Sequence, residues 1–202
     1  MNTQDKYQQL LQRTRGDYQA FLYDCDGTLA ENMHLHKAAY VEAASRHGIR
    51  LDPGLIDETA GWPTVKVAAE INRRYGSTLD PLSFAKEKSR IYVQDFIGQT
   101  RPVAFMVKHL IAHAGKLPIA IVTGGSRSTV SKTLEVIGIV PYVDLMVCSG
   151  ETDRGKPYPD PFLKAAEILQ VPADKCLVFE DGDPGVQAAK AAGMDWIRVD
   201  HI

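Results

Sequence analysis

The sequence predicts an α/β fold: a mostly parallel sheet with helices on both faces, interrupted by a small inserted helical domain. Three observations predict it. From Pro102 to the C-terminus, short apolar runs alternate with amphipathic stretches, the pattern of successive βαβ units. An earlier apolar run, Phe21 to Tyr23, stops abruptly at two carboxylates, Asp24 and Asp26, followed by Gly27 and Thr28. The gap from Leu29 to the next buried run at Leu117 far exceeds a crossover helix with its usual loops of ~2–6 residues.

In chain order, Met1 to Gln19 is polar and carries no apolar signal core. Tyr7, Leu10 and Leu11 have helical spacing, so residues 1–15 form a helical extension. Phe21 to Tyr23 is the first strand. Residues 32–96 read as an inserted helical domain. Met33 to His47 carries Ala38, Ala39, Val41, Ala43 and Ala44 without Gly or Pro. A short helix begins at Pro53, with Leu55 and Ile56, and ends near Gly61. Pro63 takes a first-helical position before Val65, Val67, Ala68, Ala69 and Ile71, and Gly76 closes that helix. Asp80-Pro81 opens another, with Phe84, Ile91, Tyr92 and Phe96.

The remainder, 97–202, joins 1–31 as the core. Its helices are expected at Val103–His113, Ser126–Val136, Asp160–Leu169 and Gly185–Ala192. Its strands are expected at Leu117–Val122, Val143–Val147, Lys175–Phe179 and Trp196–Val199. The result is a Rossmann-like core, in which ligands bind beyond the carboxyl ends of the strands.

Composition narrows the function classes. The chain of 202 residues is 45% hydrophobic, enough for a sizeable core. A net charge of -2 provides no basic field for nucleic acid. No apolar run approaches the ~20 residues that span a bilayer. Cys25, Cys148 and Cys176 lack paired spacing and suit a reducing cytoplasm. A monomer is the expected state.

The residues just past the strands are chemically unusual. Asp24 and Asp26 follow the first strand. Thr123-Gly-Gly-Ser follows the second and precedes a helix. Glu180-Asp-Gly-Asp follows the fourth, and Gly155-Lys156-Pro157 lies in a loop before it. Each could be only a turn, an N-cap or a solvated charge. Together they suit one site. Converging carboxylates raise one another's pKa unless a cation joins them, and hard oxygen ligands favour Mg²⁺. Thr123, with the Gly124 amide at a helix N-terminus, suits a phosphoryl group, and Lys156 adds a positive charge. Cys148 to Arg154 also matches Cys-x5-Arg, a thiol-phosphatase spacing. There, Glu151 and Asp153 would repel a dianion, and Gly155 and Pro157 stop a helix from starting.

The set Asp24-Cys-Asp-Gly-Thr-Leu, Thr123-Gly-Gly-Ser, Lys156-Pro and Phe179-Glu-Asp resembles the four motifs of the haloacid dehalogenase superfamily, in family order and over nearly the whole chain. Phe179 to Met194 is similar to the β-phosphoglucomutase-like branch. With Gly61-Trp-Pro-Thr it is also similar to the fructose-1-phosphate phosphatase-like branch. The resemblance implies a Mg²⁺-dependent phosphatase of a small phosphorylated sugar, with Asp24 as nucleophile and Asp26 as acid/base. It implies metal ligation by Asp24, the Asp26 carbonyl, Asp181 and Glu180, and phosphate binding by Thr123, Gly124 and Lys156. The insert would be a cap that closes over the site, with His36 and Lys88 matching a hinge histidine and a substrate-contacting lysine.

Two positions depart from the mutase pattern. Thr64 stands where an arginine binds the non-transferring phosphate, and Asn32 replaces a threonine near the hinge. The alternatives are a β-phosphoglucomutase-type phosphomutase or a non-enzymatic phosphoacceptor switch. A persistent phosphoryl group, which a switch needs, is at odds with Asp26 and the insert.

Overall fold

Neighbouring residues of the first strand all face apolar surroundings, so it lies inside a sheet covered on both sides. The computed structural model describes residues 1–59 and 61–202 and divides into two compact units, Met1–Glu31 with Arg101–Ile202, and Asn32–Thr100. In the first unit, α1 (Thr3–Arg13) leads to β1 (Ala20–Tyr23) and the two-residue β2 (Ala30–Glu31). The second unit holds α2 (Met33–Arg46), α3 (Gly54–Glu58), α4 (Thr64–Tyr75) and α5 (Pro81–Ile91). The first unit resumes with β3 (Arg101–Pro102), α6 (Ala104–His113), β4 (Ile119–Val122), α7 (Arg127–Val136) and β5 (Leu145–Val147). It ends with α8 (Asp160–Leu169), β6 (Cys176–Glu180), α9 (Asp183–Ala191) and β7 (Asp195–Arg198).

The main sheet has the order β5-β4-β1-β6-β7, and each adjacent pair is parallel. Alternation along the strands sorts the core onto two faces. Phe21, Tyr23, Ile119, Ile121, Leu177 and Phe179 share one cluster with Leu10, Phe105, Met106, Leu110, Val130 and Leu134. Ala20, Leu22, Ala120, Val122, Cys176 and Val178 share the other with Phe162, Ala165, Ala188 and Ala189. Helices α1, α6 and α7 therefore cover one face, and α8 and α9 the other. The expected doubly covered parallel sheet is what the chain forms. β1 is central, with β4 and β6 on its two sides, so its carboxyl end lies where the strand order reverses.

The second unit has its own core. Ala39, Ala43 and Ala44 of α2 let its backbone approach α5, and they share one buried cluster with Val67 and Ile71 of α4 and Phe84 and Ile91 of α5. Asp80 caps α5 by accepting from the Ser83 amide, and Gly76 ends α4 in the left-handed conformation at φ 62°. The helix expected to end near Gly61 stops at Glu58, beside residue 60, which lies outside the described residues.

Several boundaries differ from the sequence reading for local reasons. After Ile91 the chain widens into a π-helical segment, Tyr92–Phe96, then tightens through a 3₁₀ turn, Ile97–Gln99, so the second unit runs to Thr100 rather than residue 96. β2 and β3 pair antiparallel over two residues each, too short for any periodicity to announce. α9 starts at Asp183, before Gly185, because Pro184 occupies the first turn, where no N–H is needed. A 3₁₀ turn at Val140–Tyr142 delays β5 to Leu145. Among the described residues, no helix is long and apolar enough to cross a membrane.

Candidate active site

Asp24 is the first residue past β1, and its amide donates to the Phe179 carbonyl of β6 at 2.9 Å. Tyr23 pairs with Phe179 in register, so the next residues, Asp24 and Glu180, stand side by side. Both are buried, at 8% and 3% exposure. Lys156 reaches them from the loop between β5 and α8. Its ammonium donates to Asp24 Oδ1 at 2.7 Å, to the Val122 carbonyl at 2.7 Å and to Glu180 Oε1. All three N–H bonds of the ammonium thus have acceptors.

Asp181 follows Glu180 and accepts from the Thr28 hydroxyl at 3.2 Å. One carboxylate oxygen each from Asp24, Glu180 and Asp181 fall within 4.8 Å of one another. Three acids thus face one lysine. Burial pushes the Asp24 carboxyl well above the usual range; Lys156 pulls it down, while Glu180 and Asp181 push it further up. Burial, then Glu180, push Asp181 up to about 6. Burial alone would lower Lys156, but Asp24 and Glu180 hold it above the ordinary lysine range. This excess of buried carboxylate oxygens fits a hard divalent cation such as Mg²⁺.

Two glycines make room for the acids. Gly27 has φ 87°, and a Cβ there would overlap the Asp181 carboxylate. A Cβ at Gly185 would overlap the carboxylate of Glu180, whose Oε2 also accepts from the Gly182 amide at 3.3 Å.

At the end of β4, Thr123 Oγ1 accepts from the Gly125 amide at 3.1 Å. Gly124 is exposed between them. A Cβ on Gly125 would lie 3.6 Å from Thr123 Oγ1 and 3.7 Å from Asp26 Oδ2, which sets Asp26 and the turn after β4 side by side. Ser126 caps α7 by accepting from the Thr129 amide. Within the first unit, Asp24, Glu180, Asp181 and Lys156 form one cluster, and Asp26, Thr123 and Gly125 lie together at the β4 turn.

Asn32, His36 and Lys88 belong to the second unit, where they form a buried cluster of their own. Lys88 donates to His36 Nδ1 at 2.7 Å, so that nitrogen carries a lone pair. The His36 ring stacks on Tyr92 with centroids 3.9 Å apart, and Asn32 donates to the Tyr92 hydroxyl at 2.9 Å.

The sequence reading gave Thr28 and Gly185 no part in the site and read Gly27 only as a turn. Thr28 was visible as part of Asp-Gly-Thr but carried no sign of its partner 153 residues away. The Val122 carbonyl left no signal at all, being main chain. The thiol alternative fails on geometry and charge. Burial and Glu151 push Cys148 up to about 11, so it is a protonated thiol. Arg154 is bound to Asp160 at 3.1 Å, and the residues between them and Cys148 form turns rather than a helix.

Comparison with known proteins places this geometry among relatives. The family model described as "Hydrolase: haloacid dehalogenase-like hydrolase" matches residues 18–193. Fructose-1-phosphate phosphatase YqaB of Escherichia coli (strain K12) is 31% identical over 90% of this chain and 96% of its own length. Hexitol phosphatase A of the same organism is 31% identical over 89% of this chain and 82% of its own. The crystal structure of CbbY from Rhodobacter sphaeroides in complex with phosphate shares the fold, with a TM-score of 0.80 at 24% identity, covering 89% of this chain and 84% of that one.

Proposed function

The chain belongs to the haloacid dehalogenase-like hydrolases, and on that premise we propose that it is a Mg²⁺-dependent phosphatase of a small sugar monophosphate. One observation carries the reading: Asp24, held by Lys156 in a buried acidic cluster at the end of the central strand, with Asp26 two residues on. The two relatives named for fructose 1-phosphate and for hexitol support the substrate class.

In this reading an Asp24 oxygen attacks phosphorus in line with the sugar oxygen. The new bond forms as the bond to the sugar breaks, leaving an aspartyl-phosphate. Asp26 gives its proton to the departing sugar oxygen, then takes one from water. That water attacks the same phosphorus, the bond to Asp24 breaks, and inorganic phosphate leaves. Thr123 and the Gly124 amide bind the phosphoryl oxygens. Lys156 orients Asp24 and adds positive charge. Carboxylates of Asp24, Asp181 and Glu180 with the Asp26 carbonyl would hold Mg²⁺. Bound there, the ion would offset negative charge on the transferring group. Catalysis is assigned to these core residues, and Asn32–Thr100 is taken as the cap domain, with Asn32, His36 and Lys88 among its residues.

A mutase needs a second phosphate anchor. Thr64, at the start of α4, brings no charge, and its hydroxyl accepts from Tyr40 at 3.1 Å, which favours hydrolysis. The three free, buried cysteines suit a cytoplasmic setting, and a monomer completes the reading.

Phosphate release from a panel of sugar monophosphates, with Mg²⁺ and with EDTA, tests the proposal. Mg²⁺-dependent release that Asp24→Asn abolishes and Cys148→Ser retains is expected. Metal-independent release, or interconversion of sugar phosphates without free phosphate, overturns it.

A further inference from the structure

Tyr23 ends β1 with its side chain in an apolar cluster that includes Phe21, Phe105, Met106, Leu110 and Phe179. A phenylalanine would serve burial there equally well. Instead the Tyr23 hydroxyl lies 2.8 Å from Nδ1 of His109, a fully buried histidine on α6. Burying two polar groups in such a cluster costs free energy unless each finds a partner.

The protons can be counted around this pair. Tyr23 donates to His109 Nδ1. His109 Nε2–H then donates to the Thr14 hydroxyl at 3.3 Å, and Thr14 donates to the Leu11 carbonyl at 3.3 Å. Every donor is used when the imidazole is neutral. Burial and the neighbouring His113 support that state, lowering His109 to about 3. Thr14 caps the end of α1 and lies before residue 18, where the family match begins.

The other end of the chain points at the site. The Tyr23 ring stacks on Phe179 with centroids 4.4 Å apart and planes 11° apart. These two residues are partners in the β1–β6 register, and each immediately precedes a carboxylate that binds Lys156. The Tyr23–Phe179 stack therefore lies directly behind the strand ends that carry Asp24 and Glu180. Polar pairs of this kind select one arrangement where an apolar core would accept several.

We propose that Tyr23 and His109 are positioning residues: their hydrogen bond, backed by Thr14 behind the N-terminal helix, fixes the β1–β6 stack that sets Asp24 against Glu180. The kinetic arm of the test rests on the phosphatase reading, and the exchange arm does not. Tyr23→Phe keeps the ring and removes only the hydroxyl, so it preserves the core. With p-nitrophenyl phosphate and saturating Mg²⁺, well below the melting temperature, Tyr23→Phe and His109→Leu should lower kcat on the order of tenfold with KM nearly unchanged. His109→Gln, which can still pair with the hydroxyl, should recover part of that loss.

Amide hydrogen exchange, followed by mass spectrometry, should show residues 20–28 exchanging roughly tenfold faster in Tyr23→Phe, with the β4 peptide unchanged. Unaltered exchange at 20–28, or altered exchange with wild-type kcat, overturns the proposal. If the wild-type protein turns over no phosphate ester, the phosphatase reading falls and the exchange result alone decides the positioning role.

Discussion

Lys156 Nζ stands 2.7 Å from Asp24 Oδ1, and both side chains are about nine-tenths buried, at 8% and 11% exposure. The pair does not stand alone, because the same ammonium bonds Glu180 and the Val122 carbonyl. Removing the lysine leaves three acids facing one another. Lys156→Met should cost about 3–5 kcal/mol of stability at neutral pH, the usual result of breaking a buried pair from one side. It should also lower kcat by roughly a hundredfold or more. Because a divalent ion can replace the lost charge, saturating Mg²⁺ should restore part of the melting temperature but not kcat. A variant that melts like wild type in EDTA would refute this account of the cluster.

Mg²⁺ itself should stabilise the folded protein. At a free concentration a hundred times its Kd, binding to the native state alone adds about 2.7 kcal/mol. Asp181→Asn removes a negative oxygen from the carboxylate group and should shift the Mg²⁺ titration of the melting temperature to much higher concentration. Asp153→Asn, in the neighbouring loop, should leave the titration in place. Equal titrations in the two variants would mean the ion binds elsewhere.

Gly185 and Gly27 should tolerate alanine poorly, and for different reasons. At Gly185 the added methyl meets the Glu180 carboxylate, so Gly185→Ala should release Glu180 from Lys156 and lower kcat on the order of tenfold. At Gly27 it meets Asp181 and also sits at φ 87°, where a side chain costs about 1 kcal/mol or more. Gly27→Ala should therefore weaken Mg²⁺ binding and lower stability together, read from calorimetry and thermal melts. Gly48→Ala has a positive φ but open space and should show only the stability loss.

His109 gives a pH signature with a definite sign. Its folded value is lowered from 6.5 to about 3 by burial and by His113. Below pH 6.5 the unfolded chain takes up a proton that the folded protein refuses. The stabilising contribution is thus complete above 6.5 and is lost as pH falls toward 3, by about 1.4 kcal/mol per pH unit. Tyr23, Thr14 and His113 are the polar groups facing it, and Phe21 and Phe179 cover its ring. Asp24 and Asp181 are raised and titrate with the opposite sign, in wild type and variant alike. The wild-type minus His109→Gln difference in unfolding free energy between pH 7 and about pH 5 isolates the histidine. A flat difference would place a charged imidazole in the fold.

Much of the architecture was legible because it is local. Apolar runs too continuous for a half-exposed sheet announced strands covered on both faces, and the long gap after Leu29 announced the insertion. Motif residues at strand ends marked where a candidate site would gather, since turns and termini are written in neighbouring residues, and the structure brings Asp24, Glu180 and Asp181 together there. The two-residue ladder of β2 and β3 and the π-helical segment at Tyr92 left no such trace. A pair of residues has no period, and a widened turn costs nothing that composition records.

The sequence by itself determined the fold class, the order of elements and the residue types available at the ends of β1, β4 and β6. Only the tertiary structure decided their partners. Lys156 meets Asp24 across 132 residues, Thr28 meets Asp181 across 153, and His109 meets Tyr23 across 86. Such pairs depend on strand register and helix packing, which sum many weak contacts over the whole core. That is why a loop lysine that the sequence marked as a positive charge for phosphate is the buried counter-ion of two acids, and why a core tyrosine carries a hydroxyl.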